Sequence, residues 1–300
     1  LGARHGWEWE CLGTGQLEEG GAGAFLAVAR GNDNDDDGIL RLSYRPGEAT
    51  AAAQVALVGK GIVFDTGGTN LKPASGMLDM HGDMQGSAVA LGTLLALTLL
   101  EVPFAVDCWL ALTENRTGPH AYKQQDVVGT IAGKTIQVMH TDAEGRMVLA
   151  DTLTLAGEPG PATIIDYATL TGTCVSALTT RYSGVFTNRP QLHPLLQHAG
   201  EESGERVWPF PVTDEFRDEL KSEVADLKQC LVPGAGDHIM AAALLREFVP
   251  GQSTWIHLDL SASSHEGGLA HTPSKVTGFG VRYTLSLLLD LAQSPGRPAA

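Results

Sequence analysis

The sequence predicts an α/β domain, with a mixed, mainly parallel central sheet flanked by helices on both faces. Three observations carry this. From Gln54 onward, short apolar runs recur that are continuous rather than alternating, as expected of strands buried on both faces. Ala/Leu-rich stretches of helical length separate them, and strand alternating with helix is the order that builds parallel sheets. The chain has 300 residues, enough for a sizeable core in one large or two small domains.

The elements follow in order. Residues 1–50 are rich in Gly, Glu and Asp and hold two short apolar stretches, Ala24–Ala29 and Ile39–Tyr44, around a solvated acidic loop at Gly31–Gly38. Gln54–Phe64 reads as a buried strand and Asp65–Gly68 as a Gly-rich loop. Asp83–Leu100 opens with Asp and is Ala/Leu-rich, a helix candidate. Phe104–Glu114 and Lys134–Thr141 read as strands, Arg146–Ala156 as a helix, and Thr163–Leu170 and Ser183–Asn188 as strands. Helices are expected near Gln191–Ser203, Asp214–Glu219 and His238–Phe248. Ser253–Ser261 reads as a strand, Val281–Leu291 as a closing helix, and 294–300 as a frayed tail.

Composition narrows the function classes. The longest apolar run, Ala88–Leu100, is broken by Gly92, Thr93 and Thr98, too short for a membrane span of roughly 20 residues. Acidic residues outnumber basic ones by 35 to 20, for a formal charge of −15. The average field therefore repels nucleic acid. Cys11, Cys108, Cys174 and Cys230 are scattered with no CxxC pair, so reduced thiols and a cytoplasmic location are expected. The N-terminus has no basic and apolar signal pattern and no initiator Met. A fragment or processed product is expected.

Several familiar patterns fail. Asp33–Gly38 begins like an EF-hand loop, but Tyr44 stands where the bidentate Glu belongs. Gly129–Thr135 is one residue short of a P-loop. No GxSxG elbow and no HExxH helix occurs. Polar residues instead concentrate in two segments, Lys60–Asp83 and His140–Arg146. The first holds Lys60, Asp65, Lys72 and Asp83 after a buried strand. The second holds Asp142 and Glu144, two apart, which an extended backbone would place on one face. Carboxylates gathered at strand ends would repel unless cations sit among them. Spacing alone leaves a second reading open, in which these residues are helix caps and solvated turns.

The segments VGKGIVFDTGGTNLKP (Val58–Pro73), MHGDMQG (Met80–Gly86), HTDAEGRMVLAD (His140–Asp151), DYATLTG (Asp166–Gly172) and TGFGVR (Thr277–Arg282) resemble the catalytic domain of the leucyl aminopeptidase family, M17. The resemblance spans about Ala24 to Leu291. It implies a leucyl-type metallo-aminopeptidase with two divalent ions per chain, zinc or manganese before magnesium. Lys60, Asp65, Asp83, Asp142 and Glu144 would be the metal ligands, with Asp65 and Glu144 bridging. Lys60 and Asp83 would complete one site and Asp142 the other. Lys60 can ligate only as the neutral amine. Lys72 would stay charged and polarise the scissile carbonyl. Arg146 would hold a bicarbonate ion that serves as general base. Met80, Thr169, Leu170, Thr171 and Gly172 would line the substrate pocket.

The same resemblance implies peptide substrates with a free N-terminus and a homohexamer. It makes residues 1–50 an N-terminal junction and 51–293 the catalytic domain. Two local departures stand out: His140 replaces an Asn beside Asp142, and Gln85 interrupts an MGG run. The family's proteins are much longer, so the chain is expected to be a catalytic-domain fragment or a short member. A catalytically silent relative with a binding role is the alternative; the presence of all five ligands with Lys72 and Arg146 weighs against it.

Overall fold

A computed structural model of the protein describes residues 1–33, 36–47 and 54–293. The strands are Glu8–Gly13 (β1), Gly38–Tyr44 (β2), Val55–Asp65 (β3), Val106–Asn115 (β4), Val127–Gly129 (β5), Thr135–Gln137 (β6), Thr163–Ala168 (β7), Ser183–Thr187 (β8), Val207–Pro209 (β9), Leu227–Lys228 (β10) and Thr254–Asp259 (β11). The helices are Gly2–His5 (α1), Thr14–Glu19 (α2), Gly23–Ala29 (α3), Ala74–Met77 (α4), Gln85–Leu99 (α5), Gly145–Gly157 (α6), Gly172–Leu178 (α7), His193–Ser203 (α8), Asp214–Glu219 (α9), Asp237–Arg246 (α10) and Val281–Gln293 (α11).

Eight strands form one sheet in the order β1-β2-β4-β3-β7-β11-β8-β9. Its centre, β4-β3-β7-β11, is parallel throughout. The β1–β2, β2–β4 and β8–β11 pairs are antiparallel. The expected mixed, mainly parallel sheet is therefore present. Both faces are covered because β3 alternates within its apolar run. Ala56, Val58 and Ile62 join the core under α3, α6 and α10. Val55 and Leu57 join the core under α5 and α11. On that second face Gly59 permits close approach of α5: a Cβ there would sit 2.5 Å from the Ser87 Cα.

The N-terminal segment is built into this sheet. β2 pairs with β4 along seven residues from Gly38 to Tyr44, and Phe25 of α3 is fully buried against the core of α6. The expected boundary at residues 50 and 51 and the expected tail, 294–300, lie outside the described residues. Positions 34 and 35 of the acidic loop do as well.

Three local expectations are corrected. The strand expected over Lys134–Thr141 is ordered as β6 only over Thr135–Gln137. Beyond it, the Met139 and His140 amides donate to the Gln229 side-chain oxygen rather than to a neighbouring strand. The helix expected from Asp83 begins at Gln85, after a 3-10 turn over Met80–Gly82; the Asp83 carboxylate is taken by Lys60 and Thr169 instead of capping a helix. Asp142 and Glu144 do not lie in extended backbone. The chain turns there, with Ala143 N–H on the His140 carbonyl at 3.0 Å, and Glu144 is already helical at φ −70°, ψ −33°.

Candidate active site

The C-terminal ends of the parallel strands are where α/β folds place their sites, and the polar residues gather there. Lys60 lies within β3 on the face toward α6. Asp65 ends β3. Asp83 closes the 3-10 turn before α5, and Asp142 and Glu144 sit in the turn that starts α6. The turn sends its two carboxylates to different lysines. Lys60 Nζ lies 2.8 Å from Glu144 Oε1 and 2.8 Å from Asp83, and donates to the Thr169 carbonyl at 2.9 Å. Lys72 Nζ lies 2.9 Å from Asp65 Oδ2 and 2.5 Å from Asp142 Oδ1.

The two nodes share one low-dielectric space. Lys60, Asp65, Asp83 and Glu144 are buried; Lys72 and Asp142 are partly open to solvent. Carboxylate oxygens of Asp65, Asp83 and Glu144 all fall within 4.8 Å of one another. Four carboxylates thus face two ammonium groups, an excess of negative charge in a place where charge is costly. Burial first, and Asp65 second, push the Glu144 carboxyl up to about 8. Burial pushes Asp83 up to about 6 against the pull of Lys60. Asp142 is raised by burial and by Asp65. Burial works to lower both lysines, but their carboxylate partners outweigh it and hold each above its ordinary value.

This donor set fits divalent cations. Asp83 Oδ2 and Asp142 Oδ1 are buried without a hydrogen bond, although each is within ion-pair reach of a lysine. Three buried carboxylates in mutual reach are a ready oxygen cage, and oxygen ligands with an amine suit magnesium, manganese or zinc. Asp142 stays beside Lys72 and outside the group of three.

The catalytic-domain model of the cytosol aminopeptidase family matches residues 1–285. The chain belongs to the cytosol aminopeptidase family. It is 43% identical over 287 residues to a probable cytosol aminopeptidase of Geobacter sulfurreducens, covering 95% of this chain and 57% of that protein. A probable cytosol aminopeptidase of Syntrophotalea carbinolica is 44% identical over 274 residues, covering 91% of this chain and 54% of that protein. Among solved structures, leucyl aminopeptidase from Leishmania major in complex with actinonin superposes with a TM-score of 0.87 at 30% identity. That match covers 96% of this chain and 55% of the other. The chain spans a little over half the length of these relatives.

In this member of the cytosol aminopeptidase family, the remaining expected residues fall into two groups. Thr169 belongs to the carboxylate cluster: its hydroxyl donates to Asp83 Oδ1 at 2.6 Å and its carbonyl accepts from Lys60. Leu170 and Thr171 are pinned from below, their amides donating to Asp259 Oδ1 and the Thr171 hydroxyl to Asp259 Oδ2. Thr171 also caps α7, which Gly172 begins. Met80 is half-buried in the 3-10 turn. Arg146 lies inside the fold, with Nη1 and Nη2 both on the carboxylate of Asp237 and Nε without a partner.

Several residues that hold the site escaped the sequence reading. Asn115 ends β4, donates to Asp65 Oδ1 at 2.8 Å and to the Thr141 carbonyl at 3.0 Å, and so ties the two motif segments together. Tyr122 donates to the same carbonyl at 2.6 Å. Gln229 receives the His140 amide, and Asp259 positions the loop after β7. Each stands outside the two polar segments, so only its partner in space marks it. The Asn following Thr113 and Glu114 at a strand end was the one signal available, since polar residues there point at the site end of the sheet.

Proposed function

We propose that the chain is a metal-dependent aminopeptidase domain that hydrolyses the N-terminal residue from peptides bearing a free α-amine. The observation that carries this is the buried convergence of Asp65, Asp83 and Glu144 beside Lys60, with Lys72 and Asp142 adjoining. The relatives named cytosol aminopeptidase support the reaction class. Their name also supports a cytoplasmic location, and the resemblance extends to a homohexamer.

In this reading Lys60, Asp65, Asp83, Asp142 and Glu144 hold two divalent ions, zinc or manganese before magnesium. Asp65 and Glu144 would serve both ions, Lys60 and Asp83 one, and Asp142 the other. Bound there, such ions supply Lewis acidity that lowers the pKa of water and polarises a carbonyl. Cations would supplant the ammonium of Lys60 as counter-charge and drive its proton off, freeing the amine lone pair. Lys72 has the opposite task. In the metal-loaded site it would stay protonated and donate to the scissile carbonyl and to the oxyanion that forms. Asn115 and the Gly67 amide, both on Asp65 Oδ1 at 2.8 Å, fix the orientation of that ligand. Met80 and the stretch Thr169–Gly172 would border the first residue of the substrate.

In the same reading Arg146 would hold a bicarbonate ion that serves as general base: Nη1 and Nη2 rest on the carboxylate of Asp237, and the Nε side of the guanidinium has no partner.

The test is hydrolysis of leucine p-nitroanilide after stripping and reconstitution with zinc or manganese, with Asp142→Ala as control. Metal-dependent turnover lost in the variant is expected. Two ions bound without turnover on a panel of aminoacyl anilides would point to the silent relative. Failure to bind either metal would sink the proposal.

A further inference from the structure

The turn that carries Asp142 runs between β6 and α6, and no residue from Val138 to Glu144 is exposed. Its backbone groups therefore need partners inside the protein. The β6–β10 ladder supplies them only up to a point. Leu227 and Lys228 pair with Ile136 and Gln137, and the Gln229 amide donates to the Gln137 carbonyl at 2.9 Å. From Met139 the backbone leaves the ladder, and a side chain takes over. Gln229 Oε1 accepts from the Met139 and His140 amides, each at 3.1 Å, and Gln229 Nε2 donates to the Ala143 carbonyl at 2.9 Å. The two amides lie on the entry to the turn and the carbonyl on its exit, with Asp142 between. Two donors on one side and an acceptor on the other fix which way the amide faces, and a primary amide carries both kinds of atom on one planar group. The main chain of the same residue reaches the next functional segment, where its carbonyl accepts from Arg146 Nη1 at 3.2 Å.

Gln229 is fully buried, so loss of its side chain would leave two N–H groups and a carbonyl without partners in the interior. The two carboxylates of the turn depend on it unequally. Glu144 leads directly into α6 and rests on Lys60, its side chain 2% exposed. Asp142 rests on Lys72, its side chain 29% exposed. Between the two ends of the clasp, Thr141 is held independently: its amide donates to Asn70 Oδ1, and its carbonyl accepts from Asn115 and Tyr122. Without Gln229 the turn would stay attached at Thr141 but could pivot there, and Asp142 would swing with it. We propose that Gln229 is a positioning residue for Asp142: its side-chain amide locks the turn at both ends and thereby sets the affinity for the metal ion that Asp142 completes. Gln229 acts through the backbone of the turn.

The proposal rests on the two-ion reading of the site, so the native chain is measured first. Zinc or manganese is titrated by calorimetry into the stripped full chain, with metal analysis of the same samples after dialysis. The native chain is expected to take up two ions. Gln229→Met keeps the length of the side chain and removes its hydrogen bonds. It should bind one ion with native affinity and the other roughly 10–100-fold more weakly, the range seen when a partner that orients a ligand is lost. Gln229→Ala, in which water can reach the freed amides, should give the same split, and it decides the matter if Gln229→Met does not fold. A purely structural role would weaken both ions together, and that result would overturn the proposal. Two ions bound by the variants with native affinity would overturn it as well. A native chain that takes up fewer than two ions would sink the two-ion reading, and the proposal with it, before any variant is compared.

Discussion

Glu144 Oε1 lies 2.8 Å from Lys60 Nζ, with the two side chains only 2% and 3% exposed. They come from motifs 84 residues apart, and the contact exists because α6 starts directly above the middle of β3. A buried pair of this kind contributes little net stability and depends on both partners staying in place. The site should therefore respond to pH, to added volume and to metal in ways that ordinary surface ion pairs do not.

Stability should fall as pH rises when a chelator is present. Glu144 at about 8 and Asp83 at about 6 are raised above their ordinary values, so the folded state holds more protons than the unfolded chain. That stabilisation is complete below the unfolded carboxylate range and is lost as pH climbs through about 6 and then about 8. Urea midpoints with EDTA are expected to drop between pH 5 and pH 8, and manganese should flatten the profile. A midpoint that rises over that window in EDTA would contradict a raised Glu144 and Asp83 in the folded state.

Gly145→Ala should damage the site more than the fold. A Cβ there would meet Lys60 Cε at 2.7 Å, Lys60 Cδ at 2.8 Å and Leu170 Cδ1 at 2.9 Å. Lys60 has three acceptors holding its tip, so its stem cannot retreat freely. Overpacking of this kind costs about 1–3 kcal/mol. Thermal melting should register that loss, and metal titration should show weakened or missing uptake.

Asn115→Ala should loosen Asp65 without touching any expected ligand. The Asn115 amide donates to Asp65 Oδ1 and to the Thr141 carbonyl, and Asn115 is fully buried. Loss of a partner that orients a ligand lowers metal affinity by roughly 10–100-fold. Calorimetric titration with zinc or manganese measures it directly. Unchanged affinity would mean that Gly67 N–H alone suffices to orient the carboxylate.

Lys72→Met should lower kcat with metal stoichiometry preserved. Removing one group that stabilises an oxyanion costs roughly 100–1000-fold in kcat, and the Lys72 side chain is 16% exposed, so the vacancy can hydrate. Steady-state kinetics on leucine p-nitroanilide, with metal analysis of the same sample, test the point. A rise in KM alone would assign Lys72 to substrate binding.

The sequence by itself determined the class of fold and pointed to the residues of the cluster. The continuous apolar run from Val55 reads as a strand buried on two faces, and Lys60, Asp65, Asp83, Asp142 and Glu144 were legible as a group through the family resemblance that their long, ordered motifs carry. Local pattern also carried α5 and α6 to within two residues of their observed starts. What it misjudged was backbone whose conformation is set from far away: the short β6, the late start of α5 and the turn at Asp142 each answer to a side chain from another segment. Tertiary structure alone decided that Asn115 steadies Asp65 and that Asp237 pairs with Arg146. The reason is physical. Strand and helix follow from periodicity within a dozen residues, whereas a hydrogen bond between residues 91 positions apart, as from Arg146 to Asp237, is created only by packing α10 against α6.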